Sequence, residues 1–198
     1  MLGRRLKQSK GSSVAPGQMS VREAILETAD SLFYREGIRA VGVDRLSEKA
    51  GVAKASLYHH FSGKEDIVLA YLEARHNKIL GSLIDAGPSE VSHMFNLLEQ
   101  KAANPEFRGC AFLLAVSEYP NAPAIVALAQ RHKRAIREHF LSFLSKSMLE
   151  REECATQIAM VYDGALAGLT IHRDPALIPI AKQAALRLLD NYLSSQDS

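Results

Sequence analysis

Residues 37–65 read GIRAVGVDRLSEKAGVAKASLYHHFSGKE, and this stretch carries the strongest fold signal in the chain. It predicts two short helices, over residues 43–50 and 54–61, joined at Gly51. Glycine at the junction permits the backbone geometry of a tight turn. Four small or medium apolar side chains are spaced to pack the two helices together: Leu46, Ala50, Val52 and Leu57. The pattern indicates a helix-turn-helix over residues 42–61.

The second predicted helix also carries polar side chains outside this packing face. Lys54 and Ser56 are suited to base edges or phosphates, whereas Tyr58 and His59 are suited to phosphate oxygens. Lys64 lies in the first turn of the following helix, where free backbone amides also attract a phosphate. The segment therefore predicts a DNA-binding site. Two apolar-faced helices around a glycine also occur as purely structural elements, and the pattern by itself leaves that alternative open.

The run AGVAKASLYHHFSGKE, residues 50–65, resembles the most typical part of the TetR/AcrR family of regulators, and the likeness extends back to Gly37. The resemblance implies a three-helix DNA-binding head and a helical body that dimerises and houses a ligand pocket. It also implies that Lys64 binds a phosphate and that five residues lie on the recognition helix: Lys54, Ala55, Ser56, Tyr58 and His59.

Two features depart from the family pattern. The family commonly has hydroxyl residues at the start of its second helix, where this chain has Val41 and Gly42. It also commonly has serine at the position of Ala53, and the loss of such an N-cap costs about 1 kcal/mol. Arg39, Arg45 or the basic N-terminal segment is the expected source of compensating contacts. The predicted DNA contacts at the second helix are Gly42, Val43 and Arg45.

The resemblance and the pattern of charge together imply three parts of the chain. Residues 1–19, rich in Gly, Ser, Lys and Arg, predict a flexible basic tail. Residues 20–66 form the predicted DNA-binding domain, and residues 67–198 the predicted ligand-binding and dimerisation body. Thirteen of the 24 Lys and Arg residues, but only nine of the 22 acidic ones, lie in the first 80 positions. A basic first part on a neutral remainder is typical of a nucleic-acid-binding head, although ordinary scatter of surface charge remains an alternative.

The rest of the chain predicts only helices. Spacings of the S-x-x-E type at Ser20 and Ser62 predict capping boxes that start two helices. Glycine and proline residues separate further helices, which are expected over 89–103, 110–118, 124–149, 153–172 and from Pro175 to about Leu193. No stretch alternates with period two, so we expect an all-α fold of about nine helices.

The two C-terminal helices predict self-association. Between Cys154 and Ile171 the only formal charge is Asp163, so this helix is apolar nearly all round. Pairing of two copies as a four-helix bundle would cover the surplus apolar surface, whereas a helix sheathed by its own chain is the alternative. Asp163 and Thr170 argue against a membrane span. The predicted dimer interface comprises Tyr162, Gly164, Ala165, Gly168, Ala181, Ala185 and Leu188.

A ligand pocket is expected between the body helices. Histidines and aromatic residues on apolar helix faces suit the wall of such a pocket, although each also suits an ordinary core position with a satisfied polar tip. A ligand that changes the separation of two recognition helices would release a palindromic operator. The candidate wall residues are His76, Phe95, Phe112, Tyr119, His132 and Tyr162.

Two other classes of protein fit parts of the sequence. The E-x-x-H spacings at Glu73–His76 and Glu90–His93 suit a di-metal helical bundle, but such a site needs two further inward glutamates. A redox-responsive regulator acting through Cys110 is the second alternative. Cys110 and Cys154 have no CxxC-type partner and no apolar signal follows the N-terminus, which favours the cytoplasm. The sequence thus predicts a regulator, a repressor rather than an activator, with no enzymatic activity, cofactor or metal.

Overall fold

The computed structural model describes residues 19–85 and 90–194. Over these ranges the chain forms nine α-helices and no strand, which confirms the predicted all-α fold. The helices are α1 (Val21–Glu36), α2 (Val43–Lys49), α3 (Lys54–His60), α4 (Lys64–Asp85), α5 (Val91–Ala102), α6 (Ala111–Glu118), α7 (Pro123–Ser142), α8 (Arg151–His172) and α9 (Leu177–Ser194). The predicted basic tail over 1–19 lies, Met19 apart, outside the described residues.

The first helix begins as the sequence predicts. The Ser20 hydroxyl accepts a hydrogen bond from the Glu23 amide, and the Ser20 amide donates to the Glu23 carboxylate at 2.8 Å. At its other end, Gly37 has a φ of 97°, a left-handed conformation that glycine adopts at little cost. The buried face of α1 packs against α2, α3 and α4, so these elements form one head.

The capping box predicted at Ser62 and Glu65 does not form. The Ser62 amide donates instead to the Asp66 carboxylate at 2.9 Å, and Glu65 is exposed. Because α4 begins at Lys64, Gly63 directly precedes the helix, and the Asp66 carboxylate in the first turn reaches back to Ser62, one residue earlier.

Helix α7 ends at Ser142, seven residues before the predicted end. Ser145 and Ser147 hydrogen-bond to each other at 2.8 Å, and such local side-chain bonds compete with helix formation. Leu144 and Met148 are nevertheless buried in the turns that follow α7. Their burial explains why the apolar pattern continues beyond the end of the helix.

Helix α4 connects the two parts of the molecule, because it packs against α1 in the head and against α7 in the body. In the body, α8 packs against α7 and α9, and α9 also contacts α5. The loop before α6 lies against α8. Gly109 in this loop has a φ of 83°, and a Cβ there would lie 2.2 Å from the Thr170 hydroxyl oxygen and 2.8 Å from the Leu166 carbonyl oxygen.

Helix α8 has the length and hydropathy of a membrane-spanning helix, and in the described part of the chain no other helix does. Core helices of globular proteins pass the same test. Only 33% of its most apolar window is buried within the chain. Its exposed row includes Met160, Gly164 and Ile171.

Candidate functional site

Helices α2 and α3 form the predicted helix-turn-helix, with α3 on the outside of the head. Leu46 and Leu57 are fully buried between the helices and α1, whereas Tyr58 on the opposite side of α3 is 50% exposed. Gly42 and Ala53 occupy the N-cap positions of α2 and α3, and neither helix has a side-chain cap. The first amides of α3 are thus available to an acceptor from outside the chain.

Three of the predicted DNA-binding cations are held by other protein groups. The Lys54 ammonium lies 2.5 Å from the Asp44 carboxylate, and this hydrogen bond raises the pKa of Lys54. Arg45 pairs with Glu36 at 2.6 Å. The Lys64 ammonium donates to the Arg39 carbonyl oxygen at 3.3 Å, and burial lowers its pKa. Binding of DNA phosphates at these positions therefore requires exchange of existing partners.

The Lys54–Asp44 contact brings the N-terminus of α3 beside the first turn of α2. Gly42 and Arg45, near this turn, are exposed, and Val43 is half-buried. On α3 the predicted contacts are exposed or, for one residue, half-buried: Lys54, Ala55, Ser56, Tyr58 and His59. The predicted residues thus lie together on the surface of the head, whereas Lys64 points back towards the Arg39 backbone.

The predicted dimer residues are divided between the surface and the interior. Ala165 and Ala185 are buried within the chain, and a Cβ at Gly168 would lie 3.1 Å from Leu177 of the same chain. Gly164 is exposed on α8. Three other residues are only half-buried: Tyr162, Ala181 and Leu188. Gly168 and the two alanines therefore mediate packing of α8 against its own neighbours.

A row of apolar side chains remains exposed on α8 and α9. Met160 is 67% exposed, Ile171 is 74% exposed and Ile180 is 65% exposed. Met160, Gly164 and Ile171 recur at spacings of four and seven, so they share one face of α8. This surface, together with Ile180 and Ala184 of α9, is referred to below as the α8–α9 face.

The body contains a cavity of about 970 Å³. Its walls come from α1, α4, α5, α7 and α8, and from the loop before α6 and the first turn of α6. Phe112, His132 and Tyr162 line it as predicted. Three predicted wall residues lie elsewhere: His76 contacts His132 from behind, Phe95 packs against Tyr162, and Tyr119 lies under the Arg39 guanidinium near the head.

A buried histidine pair lies at the base of the cavity. The Nδ1 atoms of His76 and His132 are 3.1 Å apart, so one ring donates to the other. The His132 ring also stacks on Phe112, with 3.8 Å between ring centroids. Burial first, then the charge of Lys133, lowers the pKa of His132 to about 3, and burial also lowers the pKa of His76. Both imidazoles are therefore neutral near pH 7.

Several polar residues of the cavity wall were missed by the sequence analysis. Asp30 and Tyr34 come from α1, Arg75 and Lys78 from α4, and Lys101 from α5. The Arg75 guanidinium pairs with Asp30 at 2.5 Å and lies 4.1 Å from the centre of the Tyr34 ring. The signal was present, because Asp30 and Tyr34 are four residues apart and Arg75 and Lys78 are three apart on their helices. These spacings alone do not identify a shared site, because the sequence does not show which helix faces pack together.

Two sets of polar contacts connect the body to the head. The Tyr34 hydroxyl donates to the Gly109 carbonyl at 2.9 Å and accepts from the Arg108 amide at 2.8 Å. At the end of α6, the Glu118 carboxylate accepts from the amides of Ile38 and Arg39, at 2.9 and 2.6 Å. The loop between α1 and α2 is thereby fixed to the body.

The structure bears on the two alternative classes of protein, the di-metal helical bundle and the regulator that responds to oxidation of Cys110. Glu73 pairs with Arg131, and His76 with His132, so the first E-x-x-H spacing is used for structure. Across residues 19–85 and 90–194, no group of three or more potential ligands could hold a metal ion. Cys110 is buried at the cavity wall, and the oxidation of a buried thiol is restricted by access.

Comparison with known proteins agrees with this architecture. The family model for bacterial regulatory proteins of the tetR family matches residues 25–71, which cover the head and the start of α4. A TetR-family transcriptional regulator from Streptomyces coelicolor, known from its crystal structure, is 32% identical over 88% of this chain and 89% of its own, with a TM-score of 0.73. This chain belongs to the TetR family. Its relatives are transcriptional regulators, and enzymatic alternatives are not favoured.

Other TetR-family relatives match mainly the head. The transcriptional repressor KstR2 of Mycobacterium tuberculosis is 38% identical over 74 residues, which amount to 33% of this chain and 37% of that repressor. The transcriptional activator FasR of Mycolicibacterium smegmatis is 34% identical over 65 residues, or 30% of its length. The chain therefore aligns with well under half of these curated relatives. A TetR regulator from Legionella pneumophila shares the fold over 86% of this chain, at 20% identity and a TM-score of 0.74.

Proposed function

We propose that this TetR-family chain is a cytoplasmic, homodimeric repressor that binds a palindromic operator and is released when a small molecule enters the body cavity. The observation that carries the proposal is the exposed side of α3, where Lys54 and Tyr58 protrude from a packed helix-turn-helix. The proposed DNA contacts remain those at Gly42, Val43 and Arg45, on α3 and at Lys64. The function requires no catalytic group and no cofactor.

Dimerisation through the α8–α9 face supports the proposal. The exposed Met160, Ile171 and Ile180 form an apolar surface that a second copy would cover, with Gly164 permitting close approach of the helices. A two-fold dimer presents two recognition helices, and successive major grooves on one side of DNA are about 34 Å apart. Two copies of the helix-turn-helix would therefore read two half-sites of a palindrome.

The cavity is positioned to influence the head. Helix α1 contributes Asp30 and Tyr34 to its wall and also packs against α2 and α3. Helix α4 contributes Arg75 and begins at Lys64, beside the proposed DNA surface. A ligand that displaces either helix would change the separation of the two heads, and coupling of about 1–3 kcal/mol is typical of allosteric proteins. We favour a repressor over an activator, because loss of DNA affinity on ligand binding is by itself enough to relieve repression.

Selection of bound sequences from random DNA tests the proposal directly. We expect enrichment of one palindrome whose half-sites are about one helical turn apart. Lys64→Ala should weaken binding to every sequence and reduce the salt slope by about 1, and Tyr58→Phe should also weaken binding uniformly. Lys54→Ala should relax base preference. Recovery of no preferred sequence at physiological salt would contradict specific regulation.

The dimer is tested with charge placed on the α8–α9 face. Met160→Glu combined with Ile180→Glu should convert the protein to monomers, because the carboxylates would be desolvated in a paired interface. Sedimentation at micromolar concentration gives the mass. Leu113→Glu is the matched control, since Leu113 is an exposed apolar residue on α6. Dimers that persist in the double variant, or that are lost equally in the control, contradict pairing through this face.

A further inference from the structure

The wall of the body cavity carries an excess of positive charge. Five cationic residues line it: Arg35, Arg75, Lys78, Lys101 and Lys133. The acidic residues of the wall are Glu27, Asp30 and Glu106. The apolar part of the wall includes Leu98, Phe112, Ile136 and Leu166. A wall of this kind combines an apolar surface with a few charged groups, as ligand sites commonly do.

Three of the cations already have carboxylate partners. Arg75 pairs with Asp30 at 2.5 Å, Arg35 lies 3.8 Å from Glu106, and Lys133 pairs with Asp163 at 2.5 Å. Their charges are therefore largely offset, and none of the three is free to bind a ligand without exchange.

The two remaining lysines, Lys78 and Lys101, are different. In the portions of the chain that the structure describes, neither side-chain ammonium group forms an ion pair or a hydrogen bond. Glu27, the remaining acid of the wall, lies on α1, whereas the lysines lie on α4 and α5. Both lysines are exposed residues of the cavity wall.

The charges of the cavity cations act on one another. Burial and then the charges of Arg75 and Lys78 lower the pKa of Lys101. The charge of Lys101 in turn contributes to the low pKa of His132 at the base. Cations that oppose one another in a partly desolvated cavity favour an anion between them, because the attraction is stronger there than in water.

We propose that the cavity takes an amphipathic organic anion, whose acid group binds between Lys78 and Lys101 and whose apolar part lies against Phe112, Ile136 and Leu166. This inference rests on the proposed function in that it names the chemical class of the effector. The volume of about 970 Å³ is at the upper end of that of ordinary ligand pockets, so a ligand larger than an inorganic ion fits. Neutral His132 adds a hydrogen-bonding group at the base, beside the apolar surface.

Binding of four ten-carbon probes to the full chain tests the inference. Decanoate, decyl phosphate, decanol and decylammonium are compared by calorimetry below their micelle-forming concentrations. We expect decanoate to bind about tenfold more tightly than decanol, because a charge-assisted hydrogen bond adds to the same apolar contact. Decylammonium should bind most weakly. Comparison of decanoate with decyl phosphate separates a carboxylate ligand from a phosphate ester.

Variants connect this preference to the two lysines. Lys78→Gln combined with Lys101→Gln should abolish the advantage of the anions over decanol, whereas Lys146→Gln should preserve it. Lys146 is the matched control because it is an exposed lysine in the turns after α7, outside the cavity wall. Thermal melts establish that the variants are folded. Equal affinities of decanoate and decanol, no decanoate binding, or an advantage that survives the double substitution would each overturn the inference.

The same probes separate this inference from the proposed function. Lysine-dependent decanoate binding that leaves the operator complex intact supports the anion site but contradicts release by ligand. Conversely, failure to select a palindrome contradicts the proposed regulator and leaves the anion preference of the cavity to be judged by calorimetry alone.

Discussion

At the scale of single residues, the proposed DNA surface contains its own competing anion. Asp44 lies 2.5 Å from Lys54, and both side chains are more exposed than buried. Exposed ion pairs contribute little to stability, so the pair matters more for binding than for folding. Asp44 holds the lysine in place but repels a phosphate that approaches the same ammonium.

We expect Asp44→Asn to increase DNA affinity. The substitution removes one negative charge from the DNA-facing surface and frees Lys54, so the gain should be on the order of threefold to tenfold at low salt and should diminish as salt increases. Fluorescence anisotropy with the selected operator and with random duplex measures the gain in affinity and its dependence on salt. The gain should be similar on the two DNAs, so the ratio of operator affinity to random-duplex affinity should stay unchanged.

Glu99→Gln is the matched control for this prediction, because Glu99 is an exposed acid on α5 in the body. It changes the net charge equally. An equal gain from the control would show that net charge, rather than the position of Asp44, sets the affinity.

Gly109 is the second residue with a specific physical role. Gly109→Ala places a methyl group against the Thr170 hydroxyl and the Leu166 carbonyl in a backbone conformation that disfavours side chains. We expect the free energy of unfolding to fall by at least about 2 kcal/mol, as measured by urea denaturation.

Gly81→Ala provides the comparison for the Gly109 variant. Gly81 lies inside α4, and a Cβ there would have no neighbouring atom within 4 Å. Alanine should therefore be neutral or stabilise the protein by up to about 1 kcal/mol. Similar losses from both substitutions would exclude the close approach of Gly109 to α8 as the cause.

At the scale of elements, α4 and α7 meet through the His76–His132 pair. The pKa of His132 is lowered to about 3 by burial and by Lys133, His76 and Lys101. In the unfolded chain, histidine binds a proton near pH 6.5. Because the unfolded state binds more protons below that pH, the free energy of unfolding falls as the pH falls from about 6.5 towards 3.

We expect the wild-type protein to lose about 2 kcal/mol of stability through His132 between pH 6.5 and pH 5, at about 1.4 kcal/mol per pH unit. His132→Gln, which does not titrate, should show a correspondingly smaller loss in urea denaturation at pH 7.5 and 5.0. His60→Gln removes an exposed histidine of α3 and should retain the wild-type pH dependence. If His132→Gln also retains the wild-type pH dependence, the prediction is wrong, and His132 is protonated in the folded state at pH 5.

Most elements could be predicted from the sequence, because their ends are set by local chemistry. Ser20 with Glu23 and the left-handed Gly37 mark the ends of α1 without reference to the rest of the fold. The end of α7 could not be predicted, since Leu144 and Met148 are buried by tertiary packing rather than by a continuing helix.

The candidate sites also differ in how far local sequence determines them. The head follows a contiguous motif, so its predicted residues lie together, whereas the cavity is assembled from helices far apart in sequence. Phe112 and His132 were predicted from their type, but a role for Lys78 and Lys101 follows only from the placement of α4 and α5 around one cavity. Ala165 and Ala185 were expected at a dimer interface, yet small residues serve close packing within one chain equally well.

At the scale of the whole molecule, Glu118 connects body to head. Its carboxylate accepts two backbone hydrogen bonds from the α1–α2 loop, and it also acts on Lys64, whose pKa it raises against the larger effect of burial. Hydrogen bonds to a charged group contribute about 1.5–3 kcal/mol each. The orientation of α2 therefore depends on a residue at the far end of α6.

We expect Glu118→Gln to weaken operator binding about tenfold although Glu118 does not touch the proposed DNA surface, because one amide would lose its acceptor or gain a weaker one. Anisotropy with the selected operator measures the change. Glu138→Gln, an exposed acid on α7, should leave the affinity unchanged. Unaltered affinity in Glu118→Gln would show that the head holds its orientation without this contact.

Helix α8 faces two ways: Tyr162 and Leu166 border the cavity, and Met160 and Ile171 form the proposed surface for a second copy. Helix α8 thus lies between the proposed ligand site and the proposed surface for a second subunit. Thermodynamic reciprocity then demands that occupancy of the cavity and assembly of the pair alter each other by the same factor. Dose–response curves should shift with the abundance of the regulator, so a cell would tune its sensitivity to the inducer by how many copies it makes.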